Sequence, residues 1–377
     1  MDSSVKYDDN YESCENMSKQ LRNNIIVLLL AILLSLILNA ANVLLPFMFG
    51  PIIASVICVR CFHMEVEWPF WLSQIGLVLL GVQIGSTFTE NVIFDIKDDW
   101  LTIVLITVML LGLALVIAFF FKKIANVNTE TAILSVIPGA LSQMLIMAEE
   151  NKKANIMVVS LTQTSRIIFV VILVPFISYF FQDSGSNRSE EDSVVNTLTE
   201  ALTIPNILLL VLAIFLVYVI MGKIHFPTRQ LLAPILVLIC WNLLTGVTFT
   251  LDNYIIAAAQ VIYMIRIGIQ IAKLLDQMKG RIALAIAFQN VLLILLAFVM
   301  VLFIAMVSDH SVNELFLGAA PGGMSQIVLV AIETGADVAL ISSYHIFRIF
   351  FILFLIAPLL SYFLKYRLAK DSINKKS

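Results

Sequence analysis

Two short polar words recur in this chain at places where apolar sequence surrounds them. Pro138-Gly139-Ala140-Leu141-Ser142-Gln143 returns 183 positions later as Pro321-Gly322-Gly323-Met324-Ser325-Gln326. Each word is followed by an apolar stretch with a polar stripe, Ser160, Gln163 and Arg166 in the first case and Ser342, His345 and Arg348 in the second. Proline removes a backbone donor and glycine loosens the chain, so a helix should open at each word. The half-helix that starts beyond the break would present unpaired N–H groups and a positive dipole end. Gln163 and Arg166, like His345 and Arg348, are three apart and share a helix face. The chemistry this points to is non-covalent: a site for a small organic anion between the breaks and the arginine faces, made by Pro138, Gly139, Ser142, Gln143, Gln163, Arg166, Pro321, Gly322, Gly323, Ser325, Gln326, His345 and Arg348. The same residues fit a second use, in which the arginines bond the carbonyls that the breaks release and act as staples.

Titration offers little more. Gln143 and Gln326 carry no proton, and the apolar stretches hold no paired carboxylates. His345 is a candidate proton carrier or a hydrogen-bonded structural histidine. Arg266 is a third arginine within an apolar stretch, and each such charge costs about 2.5–3.5 kcal/mol at the centre of a membrane helix unless it faces protein, water or solute. Glu149, Glu150, Glu333 and Asp337 stand at the outer ends of the broken elements, where a solvated loop face is expected. Gln83 and Gln270 suit the same cavity or a bond from helix to helix.

The elements that must position these residues are membrane helices. Hydrophobic residues make up 60% of the chain and charged residues 13%. The run from 24 to 48 has no charge, and roughly 20 apolar residues suffice to cross a hydrocarbon core. Apolar stretches between charge clusters give twelve segments: 24–44, 46–62, 69–88, 101–121, 128–148, 155–181, 204–222, 229–249, 254–275, 282–308, 314–332 and 338–364. The first 23 residues form a polar tail and not a signal peptide. Residues 182–203 form an acidic linker, with 24–181 and 204–364 as two membrane repeats and 365–377 as a basic tail. Two further words support the duplication: Gly81-Val82-Gln83-Ile84-Gly85 corresponds to Gly268-Ile269-Gln270-Ile271-Ala272, and Gly50-Pro51-Ile52 to Ala233-Pro234-Ile235.

Charge sets the topology. With 128–148 and 314–332 folded back as re-entrant pairs of half-helices, and both termini cytoplasmic, the Lys and Arg residues outside the apolar interiors divide 18 inside to 2 outside, the two being Lys97 and Arg188. Lys152 falls inside. If all twelve segments cross, the division is a poor 12 to 8. The first arrangement leaves about five crossings per half and reverses the second half. The expected fold is therefore all-α integral membrane, two inverted repeats of about five spanning helices plus one broken or re-entrant helix each, as alternating access requires.

The repeated P-G-x-x-S-[EQ] word, with an arginine in the helix that follows, resembles the AbrB family of bacterial membrane proteins. The resemblance spans nearly the whole chain. Its second-half signature, A-P-G-G-x-x-E-M, then A-D or L-D, then H-[HQ]-x-x-R, is matched by Ala320 to Gln326, Ala336-Asp337, and His345 with Arg348. The chain departs from it at Gln143 and Gln326, where the family has glutamate, and at Ala140, where it has glycine. The resemblance implies a bacterial inner-membrane protein with a role in transport or in regulating gene expression, and some members carry an ammonia monooxygenase label.

A secondary transporter of small solutes follows best from the residues, with an indirectly acting membrane regulator as the alternative. A monooxygenase needs clustered metal ligands, whereas His63, His225, His310 and His345 are scattered. Cys58 and Cys61 form a C-x-x-C that suits a redox pair or simply two small apolar side chains, and Cys14 and Cys240 have no evident partner. The net charge of −3, without a basic block, argues against nucleic-acid binding. The expectations are a non-enzyme with no metal and no cofactor. Its partners are the lipid bilayer and a small-molecule solute, with a homo-oligomer left open.

Overall fold

The structure is a computed structural model that describes residues 4–139, 141–151, 153–181, 198–224, 226–308 and 310–374. Ala140, Lys152, Arg188, His225 and most of the acidic linker therefore lie outside the described residues. The described chain is helical. In order it forms α1 (Ser4–Ala40), α2 (Pro46–Val56) with a π-helical turn at Ile57–Cys61, α3 (Phe70–Ser86), α4 (Glu90–Asp98), α5 (Trp100–Ala125) and α6 (Thr129–Val136). Next come α7 (Leu141–Glu150), α8 (Ile156–Phe180), α9 (Leu198–Ala201), α10 (Ile204–Lys223), α11 (Arg229–Thr245) and α12 (Asn253–Gln277). The chain ends with α13 (Gly280–Ala305), α14 (Val312–Ala319), α15 (Met324–Glu333), α16 (Val338–Phe351), a π-helical turn at Ile352–Ile356 and α17 (Ala357–Asn374). Among the described residues seven helices are long and apolar enough to cross a membrane, and four more apolar helices are shorter. This is an all-α, multi-pass membrane protein. The short α4 and α9 were not expected, and helix α1 starts within the stretch read as a polar tail.

The chain divides into two compact units, and neither follows the sequence halves: 1–81 with 251–275, and 82–250 with 276–377. In the smaller unit, close approach depends on glycine. A methyl group on Gly50 would come within 2.6 Å of Ser35 N on α1, and one on Gly268 within 2.7 Å of Ser55 Cβ and 2.9 Å of Ile52 Cα. Ser55 Oγ donates to Ile265 O at 3.1 Å, and Trp68 Nε1 to Ile262 O at 3.1 Å. Arg266 lies 4.2 Å above the Phe70 ring, a cation–π contact far from either Pro-Gly word in sequence and in a different unit.

In the larger unit the same device recurs with the other words: a methyl group on Gly85 would lie 2.6 Å from Leu238 Cβ and 3.0 Å from Ile235 Cα. Each Gly-x-x-x-[GA] word thus meets the [GA]-Pro-Ile word of the opposite half. Asn242 Nδ2 donates to the carbonyls of Gly85, Ser86 and Phe88, which terminates α3. Helix α13 runs antiparallel to α5, with Arg281 Nε donating to Ile124 O at 2.5 Å.

Both Pro-Gly words interrupt their helices, and both elements fold back. Asn128, the N-cap of α6, bonds Lys153 O just after α7, and Asn155 N donates to Thr131 Oγ1 at 2.9 Å. The tip of the hairpin lies about two turns farther along α8, where Gln163 Nε2 donates to Leu134 O and Ile137 O at 2.8 and 2.9 Å. Helix α6 therefore runs alongside the start of α8 and α7 returns, each spanning about 12–15 Å, less than half the thickness of a bilayer's hydrocarbon core. In α14 and α15 the caps repeat: Ser311 and Asp337 accept from Glu314 N and Leu340 N as Asn128 and Asn155 accept from Thr131 N and Val158 N. The two hairpins open at opposite ends of α8, because Asn313 at the start of α14 accepts from Ser178 Oγ at 2.5 Å, near the far end of that helix.

Candidate functional site

Helices α6 and α14 end in mid-unit, so their last carbonyls have no partner in the helix and carry a partial negative charge. Arg166 answers the first set. Its Nη2 donates to Val136 O at 2.8 Å and Ser135 O at 3.3 Å, and its Nη1 reaches Ile137 O at 3.4 Å. Arg348 answers the second, with Nη1 donating to Ala320 O at 3.0 Å and approaching Ala319 O at 3.5 Å. Each guanidinium is itself held by the residue three positions earlier. Gln163 Oε1 accepts from Arg166 Nη1 at 3.1 Å, and His345 Nδ1 accepts from Arg348 Nη2. With Nδ1 accepting, His345 Nε2 donates to Leu317 O at 3.0 Å, which satisfies a neutral imidazole. His345 is thus the counterpart of Gln163, and the structure gives it a bonded role.

All four of these side chains are buried, Gln163 at 6%, Arg166 at 5%, His345 at 1% and Arg348 at 2% exposure. Among the described residues no carboxylate pairs with either arginine. Arg166 Nε and the hydroxyls of Ser135 and Ser342 are buried without a partner. The arginines offset the negative ends of α6 and α14, and the positive starts of α7 and α15 lie at the tips.

The remaining predicted residues divide. Pro138 and Pro321 are buried at the breaks, and Gly139 is exposed with φ 100°, a conformation that L side chains rarely adopt. Gly139 also faces the other half: a methyl group there would lie 3.1 Å from Ile352 Cδ1 and 3.8 Å from Arg348 Nε. Gly322 faces the first half, with Val170 Cγ1 2.6 Å from the same position. The tips and arginine faces are therefore brought together. Gly323 is the N-cap of α15, and Gln326 Oε1 fills the space its Cβ would need, so Gln326 turns back onto the start of its own helix instead of pointing outward. Ser142 is exposed, while Gln143, Ser325 and Gly322 are half-buried. Ser160 is half-buried on α8, Gln83 and Gln270 are half-buried on α3 and α12, and Glu149, Glu150 and Glu333 are exposed. Cys58 and Cys61 are free thiols, one buried and one exposed. Among the described residues no three His, Cys, Asp or Glu side chains are grouped to hold a metal ion.

One feature was not legible in the pattern of residues. Val92, Ile96, Asp98, Asp99, His310, Asp337 and Leu340 line a cavity of about 300 Å³ at the open end of the α14–α15 hairpin. His310 Nε2 meets Asp99 Oδ1 at 2.9 Å across it.

Comparison with known proteins extends this picture over most of the chain. The family described as transition state regulatory protein AbrB matches residues 47–364. "Uncharacterized protein YhjN" of Bacillus subtilis (strain 168) is 24% identical over 321 residues, covering 81% of this chain and 82% of its own length. "Putative regulator AbrB" of Escherichia coli (strain K12) is 22% identical over 331 residues, covering 86% of this chain and 91% of its own length.

Proposed function

The chain belongs to the AbrB family, and from that premise we propose that it is a secondary transporter of small organic anions, a carrier and not an enzyme. The observation that supports this most directly is the pair of hairpins that open at opposite ends of α8 while their tips meet the Arg166 and Arg348 faces. A solute held between such tips can be released to one face by opening one hairpin and to the other by opening the second, the movement that inverted repeats supply. The choice of an anion rests on two buried guanidiniums without a carboxylate partner and on the positive starts of α7 and α15. In this reading the two halves are inverted repeats, the protein lies in the cell membrane with both termini cytoplasmic, and the arginines serve as staples that also set the field at the site.

Uptake of a panel of organic anions into proteoliposomes tests the proposal. Wild type should accumulate at least one member, and Arg166→Lys and Arg348→Lys should lose uptake while keeping enough of the fold to elute as wild type does. A protein that moves no anion in either direction contradicts it. The word regulator in one relative's name favours a second reading, a membrane protein that alters gene expression indirectly. For a carrier such an effect arises through the solute it removes.

A further inference from the structure

The larger unit contains two hairpin mouths, and the α14–α15 mouth is fastened by a histidine–carboxylate pair. At the α6–α7 mouth Asn128, Thr131, Asn151 and Asn155 bond the ends of the hairpin. At the α14–α15 mouth His310, in the turn that leads into α14, meets Asp99 at the junction of α4 and α5. Both are partly open to solvent, at 20% and 23% side-chain exposure.

The surroundings are acidic. Toward the cavity end of the surrounding elements the charged residues are Glu90, Asp95, Lys97 and Asp98 on α4, Asp99 at the start of α5, Glu314 on α14 and Asp337 at the start of α16. Lys97 is exposed. Below the cavity, Asp337, Leu340, Tyr344 and Arg348 follow one another along one face of α16. A long side chain in a helix points back toward the N-terminal turn, which carries the Tyr344 phenol toward the cavity floor. Tyr344 is 1% exposed, its hydroxyl has no hydrogen-bond partner among the described residues, and its ring lies against Gly318 of α14. The stripe therefore connects the cavity to the arginine that holds the tip.

We propose that His310 and Asp99 form a proton-operated latch on the α14–α15 hairpin, and that the cavity behind it is the vestibule to the Arg348 face. Imidazole takes one proton from the bulk and becomes the cation that pairs with the Asp99 carboxylate, and no covalent bond other than N–H changes. Loss of that proton removes the attraction that ties the turn before α14 to the α4–α5 junction. With that tie released, α14 can move away from the α4–α5 junction and the vestibule opens. If the protein is the carrier proposed above, the proton is its coupling ion; that corollary rests on the transport reading, whereas the latch does not.

The test uses the full chain in proteoliposomes with Cys14, Cys58, Cys61 and Cys240 replaced by serine and Leu340→Cys as reporter. A membrane-impermeant biotin-maleimide labels the reporter across about pH 5 to 8, where histidine side chains ordinarily change charge. The rate is divided by that of the same protein carrying His310→Gln, which removes the reagent's own pH dependence. The ratio should rise about two- to fivefold from acid to alkali, the span that a partly exposed ion pair can supply. Asp99→Asn should abolish the rise, as a separate variant that leaves the imidazole in place. A ratio that stays flat, or a rise that persists in Asp99→Asn, overturns the latch. Uptake then separates the two claims. With the latch intact and no anion moved, the carrier reading fails alone; with anion exchange preserved in His310→Gln but acid stimulation lost, the proton is the coupling ion.

Discussion

The two hairpins share one plan and differ in their ends. In both, an N-capped half-helix runs inward, a Pro-Gly break turns the chain, and an arginine one helix later takes the released carbonyls. At the tips the difference is one of burial: Leu141, Ser142 and Gln143 are exposed or half-buried, whereas Met324 and Gln326 are buried and Gln326 covers Gly323. At the mouths it is one of chemistry, neutral amides and a hydroxyl against a histidine–carboxylate pair beside a cavity.

The largest effect should come from removing the staples. Arg166→Ala strands the carbonyls of Ser135, Val136 and Ile137, and Arg348→Ala strands those of Ala319 and Ala320. Hydrogen bonds to a charged group contribute about 1.5–3 kcal/mol each. Both variants should lower the midpoint of thermal unfolding in detergent, Arg166→Ala by more, and equal midpoints for wild type and Arg166→Ala would break the symmetry argued here. Next come the tip glycines. Gly139→Ala forces a side chain into φ 100°, and Gly322→Ala drives a methyl group to 2.6 Å from Val170. Strain of this kind costs about 1–3 kcal/mol, and limited proteolysis at the tips should report it.

The smallest effect should be the exchange His345→Gln. Gln163 performs the same two tasks in the first half, accepting from an arginine and donating to carbonyls, so a glutamine at 345 should keep the fold with a shift below about 1.5 kcal/mol. It should also leave the pH response of the reporter at 340 unchanged. A lost pH response would move proton sensing from His310 to His345.

Much of this was legible from the residues alone. Pro138 and Pro321 announce the breaks because proline cannot donate at a helix interior, and Arg166 and Arg348 announce a polar demand nearby because lipid offers their charges nothing. The seven long spans coincide with seven of the twelve apolar segments read from the sequence, three of them carrying Arg166, Arg266 or Arg348. What escaped was contact between residues distant in the chain. Asp99 and His310 are separated by 211 positions, and neither has a periodic neighbour to betray the other. The fate of Gln326 was equally hidden: composition shows a polar side chain near a break, but not that it folds over the glycine three residues before it. The mixing of halves in each compact unit arises from crossed glycine contacts, which a linear comparison of the repeats cannot display.

The account turns on the two hairpins opening to opposite faces of the membrane. Single cysteines at Lys153 and Glu333, both exposed at the ends of the returning half-helices, can be labelled with an impermeant thiol reagent in intact cells and again after permeabilisation. The account predicts that Glu333→Cys reacts in intact cells and Lys153→Cys only after permeabilisation. Labelling of both sites from the same side would contradict it.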